Sequence, residues 1–162
     1  MSDGTPNGYA RLRVARGGDY QLSWHPARPP SGDVATTTAM RLSAPKVLRK
    51  GAWPAFAVHA NVYMGQDDSR VEYRVDGGEW RPMQRVAAPD PWLAAQNLLD
   101  DRAEALRGYD RAPPAEPSPH LWRGTLPTDL APGEQVVEVR AFDRWRGEIR
   151  ASTSYRLDTA SP

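Results

Sequence analysis

The stretch that decides the fold is Val71-Glu72-Tyr73-Arg74-Val75-Asp76-Gly77-Gly78-Glu79-Trp80-Arg81-Pro82-Met83. Val71, Tyr73 and Val75 alternate with Glu72 and Arg74, the period-two pattern of a strand with one buried face. Asp76-Gly77-Gly78 supplies the backbone freedom of a tight reversal, and residues 80–86 return, so the segment reads as a hairpin. Carried through that turn, the register is expected to set Val75 and Trp80 on one face, in a core shared with Val139 and Tyr155.

The same pattern recurs on both sides. Upstream, Thr38-Ala39-Met40-Arg41-Leu42 and residues 56–63 read as strands, the second turned by Gly65-Gln66-Asp67-Asp68. Downstream, residues 120–126, 135–142 and 149–157 follow, with Pro132-Gly133 in the turn between the first two. The last run is the cleanest, with Ile149, Ala151, Thr153, Tyr155 and Leu157 alternating against Arg150, Ser152, Ser154 and Arg156. About seven short strands at roughly ten-residue spacing argue an all-β fold, an immunoglobulin-like β-sandwich. One segment breaks the pattern. Asp90 can cap a helix with Pro91 at its first position, and Trp92, Ala95, Leu99, Ala103 and Leu106 fall at helical spacing. This predicts a helical insertion over 90–108, stopped near Gly108 and followed by a Pro-rich loop over 112–119.

Ahead of the sandwich stands an N-terminal β-hairpin. Leu12 and Val14 share one face of the first strand, Gly17-Gly18 turns it, and Tyr20, Leu22 and Trp24 share a face of the second. The run Pro26-Ala27-Arg28-Pro29-Pro30-Ser31-Gly32 cannot continue a ladder and reads as a linker. The expected division is 1–30, hairpin and linker, and 31–162, sandwich with its helical insertion. A two-stranded hairpin is marginal alone and must pack on something.

Composition excludes several function classes. The 162 residues carry 21 Lys+Arg against 20 Asp+Glu, a net charge of +1, which provides no basic field for a nucleic acid. No segment approaches the roughly 18 apolar residues that span a bilayer, and the first residues lack a signal-peptide pattern. With no cysteine there are no disulfides, thiol nucleophiles or Cys-ligated metals. The same absence suits a cytosolic or an exported protein, so the compartment stays open. His25, His59 and His120 each stand alone, without HxH, HExxH or DxH spacing, and no GxSxG or glycine-rich phosphate loop occurs. The carboxylate pairs Asp67-Asp68 and Asp100-Asp101 fall in a turn and on a helix face, where solvation is their expected state. No catalytic residue, metal ligand or cofactor site is identified in the chain. Six tryptophans are many for this length: an exposed row of them would suit a carbohydrate-binding module, whereas strand positions favour cores and seams.

Taken with His120-Leu121-Trp122-Arg123, Leu130-Ala131-Pro132-Gly133-Glu134 and Val139-Arg140-Ala141-Phe142-Asp143-Arg144-Trp145, the opening Asp3-Gly4-Thr5-Pro6-Asn7-Gly8-Tyr9 completes a pattern that covers nearly the whole chain. It resembles the C-terminal domain of bacterial calcineurin-like phosphoesterases. The resemblance implies a non-catalytic accessory domain whose partner is the upstream catalytic domain of the same polypeptide. That parent is implied to be a metal-dependent hydrolase binding divalent metal ions, periplasmic or exported. None of the family's D-x-H, G-D, N-H or G-H-x-H elements occurs here, so no catalytic residue carries over. Residues 3–24 resemble the strands that close the catalytic domain. On this likeness the chain is an excised tail with Met1-Ser2 added. It also makes Tyr9, Leu12, Tyr20 and Trp24 candidates for docking between domains, and Trp92 and His120 candidates for the rim of substrate access. An exposed docking face would also promote self-association of the isolated chain. Two rivals share features with it: the oligomerisation sandwich of sulfite-oxidase-type enzymes, with its D-G-G hairpin and late Pro-Gly turn, and a free carbohydrate-binding module.

Overall fold

The computed structural model describes residues 1–30, 35–53 and 56–159. Ser31 and Gly32 of the expected linker, and with them the expected boundary at residue 31, lie outside the described residues. The elements in chain order are β1 (Gly8–Val14), β2 (Tyr20–Pro26), β3 (Met40–Ser43), β4 (Val47–Arg49), β5 (Ala57–Val62), β6 (Val71–Val75), β7 (Arg81–Pro82), β8 (Gln84–Val86), α1 (Pro91–Arg102), β9 (Leu121–Thr125), β10 (Gly133–Asp143) and β11 (Gly147–Asp158). The described chain is therefore mostly β with one helix. β1 and β2 form a separate antiparallel ribbon. The other strands make two sheets, ordered β4-β11-β10-β6-β7 and β3-β5-β9-β8. All pairings are antiparallel except that of β4 along β11.

Alternation builds the core between these sheets. Met40, Leu42, Val58, Ala60 and Val62 come from the four-stranded sheet; Val71, Tyr73, Val137, Val139, Tyr155 and Leu157 come from the five-stranded one. All are buried. The two tyrosines keep their polar ends satisfied at the margin of this core, where Tyr73 donates to the Thr125 carbonyl at 2.7 Å and Tyr155 to the Pro127 carbonyl at 2.6 Å. Burial pushes the Tyr155 hydroxyl up to about 12.

The hairpin that decides the fold is present but shifted. Asp76 (φ 49°) and Gly77 (φ 70°) both lie in the left-handed region, and the Gly78 N–H returns to the Val75 carbonyl at 3.0 Å, a type I′ reversal. A two-residue loop would pair Tyr73 with Trp80. The observed ladder pairs Tyr73 with Arg81 and Glu72 with Pro82, so one extra residue enters the returning strand. A one-residue slip reverses the face of every side chain it carries. Trp80 accordingly leaves the core, correcting the sequence expectation. It lies half-buried on the outer face, with the guanidinium groups of Arg140, Arg74 and Arg150 at 4.2, 4.6 and 5.7 Å from its ring centroid. Val75 does pack against the core, where Val139 and Tyr155 are buried.

Two other expectations change. The returning strand is divided: β7 pairs with β6, Met83 is buried at the crossing, and β8 pairs with β9 in the other sheet. The helix begins as read, with Asp90 accepting the Trp92 and Leu93 N–H groups, but it ends at Arg102 and not near Gly108. Its buried side chain is Leu93, while Trp92, Leu99 and Leu106 are 41 %, 58 % and 41 % exposed, so the proposed apolar stripe is not the packed face. The polar side of the helix is what holds its neighbour. Asn97 donates to the Pro113 carbonyl at 3.0 Å and accepts the Ala115 N–H at 2.8 Å, and Asp100 accepts the Ala112 N–H at 2.7 Å. The Pro-rich segment lies along that side because its exposed backbone groups find partners there.

Candidate functional site

Three features stand apart from sandwich packing: a polar knot at the N-terminal segment, a cleft beside α1, and the ribbon. The knot begins with Asn61, 1 % exposed on the outer face of β5. Its amide nitrogen donates to the Asp3 carbonyl at 2.8 Å and to the Asp90 carboxylate. With both protons used in this way, its oxygen is the acceptor, and His120 Nδ1 at 2.8 Å must be the donor. The other ring nitrogen, Nε2, faces the Asp3 carboxylate at 3.2 Å and the Thr5 hydroxyl at 3.3 Å. Ser118 closes the ring, 3.3 Å from Nδ1. Gly4 sits so close to Asp90 that a Cβ there would lie 2.5 Å from the carboxylate oxygen, so only glycine allows the approach. Burial opposes the charge of Asp3, but the Thr5 N–H, the His120 ring and the Thr5 and His120 side-chain bonds outweigh it and hold the carboxyl below its ordinary range. The knot fastens residues 3–5 to β5, to the first residue before β9 and to the cap of α1 at once.

The cleft occupies about 610 Å³ between α1 and the outer face and edge of the four-stranded sheet. Pro91, Trp92, Phe56, His59, Lys46 and Arg123 are among its walls. Burial, reinforced by the nearby Arg123 cation and opposed by Asp90, lowers the His59 pKa. Trp92 also borders a smaller cavity of about 280 Å³ on the side of Arg41 and Arg28, and the Arg41 guanidinium stacks 3.7 Å from its ring centroid.

The ribbon divides its residues by register. Ala10, Leu12 and Val14 oppose Trp24, Leu22 and Tyr20 on one face, whereas Tyr9, Arg11 and Arg13 oppose His25, Ser23 and Gln21 on the other. Of the four docking candidates, Leu12, Tyr20 and Trp24 thus share a face, and Tyr9 lies on the opposite one, stacked on His25 at 5.1 Å. Leu12, Val14 and Tyr20 are 59 %, 66 % and 49 % exposed, which is unusual for a contiguous apolar row. The ribbon touches the sandwich at its far end, where the Trp145 indole N–H donates to the Tyr20 carbonyl at 3.0 Å and the two rings lie 5.6 Å apart. Of the two rim candidates, Trp92 is on the cleft wall, and His120 is buried within the knot, away from solvent.

Sequence reasoning missed Asp3, Asn61 and the second role of Asp90, because nothing local links residues 58, 29 and 59 positions apart. Among the described residues no group of three or more His, Cys, Asp or Glu is arranged to hold a metal ion, and no helix is long and apolar enough to cross a membrane.

These features define an all-β module of two sheets on a common core, with a ribbon fastened at its N-terminal side. The chain belongs to the family described as the C terminal of calcineurin-like phosphoesterase, whose model matches residues 1–148. Comparison with curated proteins and with solved structures finds no match.

Proposed function

We propose that this chain is a non-catalytic accessory domain of a bacterial calcineurin-like phosphoesterase, a hydrolase whose catalytic domain lies in the same polypeptide and binds the divalent metal ions. The proposal includes an immunoglobulin-like sandwich. The sheet orders β3-β5-β9-β8 and β7-β6-β10-β11-β4 support it, since they follow the A-B-E-D and C-F-G arrangement with one added strand at either edge of the second sheet. In this reading the ribbon docks on the catalytic domain and α1 shapes access to its active site. The observation that carries the docking role is the exposed row Leu12, Val14 and Tyr20 on a ribbon that cannot be stable alone. The Arg144 guanidinium, 5.9 Å from the Tyr20 ring centroid, borders that row, so the fitting partner surface is apolar with an acidic margin. Family membership supports the linked catalytic domain.

The test compares the full-length enzyme with the same enzyme carrying Leu12→Glu or Tyr20→Glu. Docking predicts a lowered melting temperature and altered kcat/KM toward bulky phosphoesters, with the isolated chain losing any self-association when Leu12 is replaced. Unchanged stability and unchanged activity toward small and bulky phosphoesters would refute it.

A further inference from the structure

We propose that the ribbon docks by strand addition: the free edge of β1 pairs with an edge strand of the linked catalytic domain in which apolar and acidic residues alternate. This rests on the docking role proposed above and names how, and to what, the ribbon binds. In β1 the odd-numbered residues turn their backbone groups toward β2. The flanking bonds set that parity, since the Ala15 N–H reaches the Asp19 carbonyl at 2.8 Å and the Ala27 N–H reaches the Asn7 carbonyl at 2.7 Å. Successive residues of a strand face opposite sides, so Gly8, Ala10, Leu12 and Val14 turn N–H and C=O away from β2. No hydrogen bond satisfies these groups among the described residues, and all seven residues of β1 are exposed. The far edge of β2 is partly engaged, because the Trp145 indole bonds the Tyr20 carbonyl there. Edge strands are commonly guarded by Pro, Lys or a bulge. β1 has none of these and pairs in one uninterrupted register, so its outer edge is a template for another strand.

The side chains define that strand. Leu12 and Val14 lie on one face of β1 and Arg11 and Arg13 on the other, and neither arginine has an ion-pair partner among the described residues. An incoming strand meets the two faces with alternate residues. It therefore presents apolar side chains beside Leu12 and Val14 and carboxylates beside Arg11 and Arg13. A second copy of this chain fits poorly. Antiparallel pairing of two β1 strands over their full length sets the two Arg11 side chains opposite one another, a like-charge pair.

Amide hydrogen exchange at single-residue resolution, read in the isolated chain and in the full-length enzyme, tests this. The Ala10, Leu12 and Val14 amides should exchange freely in the isolated chain and slow about a hundredfold or more in the enzyme. Ala10→Pro removes one outward N–H and no bond within the ribbon. It should lower the melting temperature of the enzyme by about 2 °C or more and leave that of the isolated chain unchanged. Arg11→Glu combined with Arg13→Glu should lower it likewise, whereas Arg11→Lys with Arg13→Lys should not. The proposal is overturned if the three amides exchange as fast in the enzyme as in the isolated chain while Leu12→Glu still destabilises the enzyme; docking then runs through the side-chain face alone. If Leu12→Glu is silent as well, the docking role fails and this proposal with it. Protection of the three amides in a dimer of the isolated chain would make a second copy the occupant, and an unaffected double Glu variant would exclude an acidic strand.

Discussion

Replacing Asn61 by alanine tests the polar knot most directly. The amide makes three contacts in a site almost closed to water: the Asp3 carbonyl, the Asp90 carboxylate and His120 Nδ1. A neutral hydrogen bond contributes about 1 kcal/mol net and one to a charged group about 1.5–3 kcal/mol. Asn61→Ala should therefore cost about 3–5 kcal/mol, a large share of the roughly 5–15 kcal/mol typical of a domain. At this chain length that corresponds to a drop in Tm of about 6–20 °C. Urea unfolding followed by tryptophan fluorescence gives the free energy, and limited proteolysis reports whether residues 1–6 are released. Asn61→Asp separates loss of the network from loss of volume. It sets a carboxylate against Asp90 in place of a donor, so it should be as destabilising at pH 7 and recover as the solution is acidified. An Asn61→Ala protein within 1 kcal/mol of the parent, or an Asn61→Asp protein indistinguishable from it at pH 7, would refute the reasoning.

Trp80→Ala should cost only about 1.5–3 kcal/mol, because exposed cation–π contacts contribute about 0.5–1 kcal/mol each and three guanidinium groups face the ring; a loss above about 4 kcal/mol in urea, the range of a buried Trp, would return Trp80 to the core. The Asp3 carboxyl is depressed below its unfolded value of 3.8, so its contribution is present above about pH 4 and vanishes as pH falls through the folded value. Asp3→Asn should therefore be less stable than the parent at pH 6, and the difference should shrink as the solution is acidified below the unfolded value; a gap that does not narrow on acidification would contradict the assignment. The isolated chain, supplied with Mn²⁺ or Zn²⁺, should not hydrolyse p-nitrophenyl phosphate or its bis-ester, since two-metal hydrolysis needs a ligand cluster that three separated histidines do not make. Turnover that co-purifies with the chain and disappears on histidine replacement would overturn that expectation.

Much of the strand inventory is legible in the residues themselves. The alternation of 71–75 and 149–157, the Asp-Gly-Gly reversal and the Asp90-Pro91 helix start all appear where they were read. Each rests on an interaction within a few residues: pleat alternation, a positive φ, a side chain accepting two nearby N–H groups. β4 was not read, because three residues pairing in parallel with distant β11 carry too little pattern of their own. Which way Trp80 faces depends on one extra residue between turn and ladder, and that is set by where β6 finds β10 and where β8 finds β9. The buried side of α1 follows from Asp90 being seated on Asn61, and helical spacing alone cannot supply that anchor. The knot itself, assembled from positions 3, 61, 90 and 120, and the cleft bounded by residues 35–153 have no local signature. Side chains so far apart meet only once cross-strand pairing and sheet packing are in place, and the energy of that packing, not any neighbouring residue, decides which of them share a site.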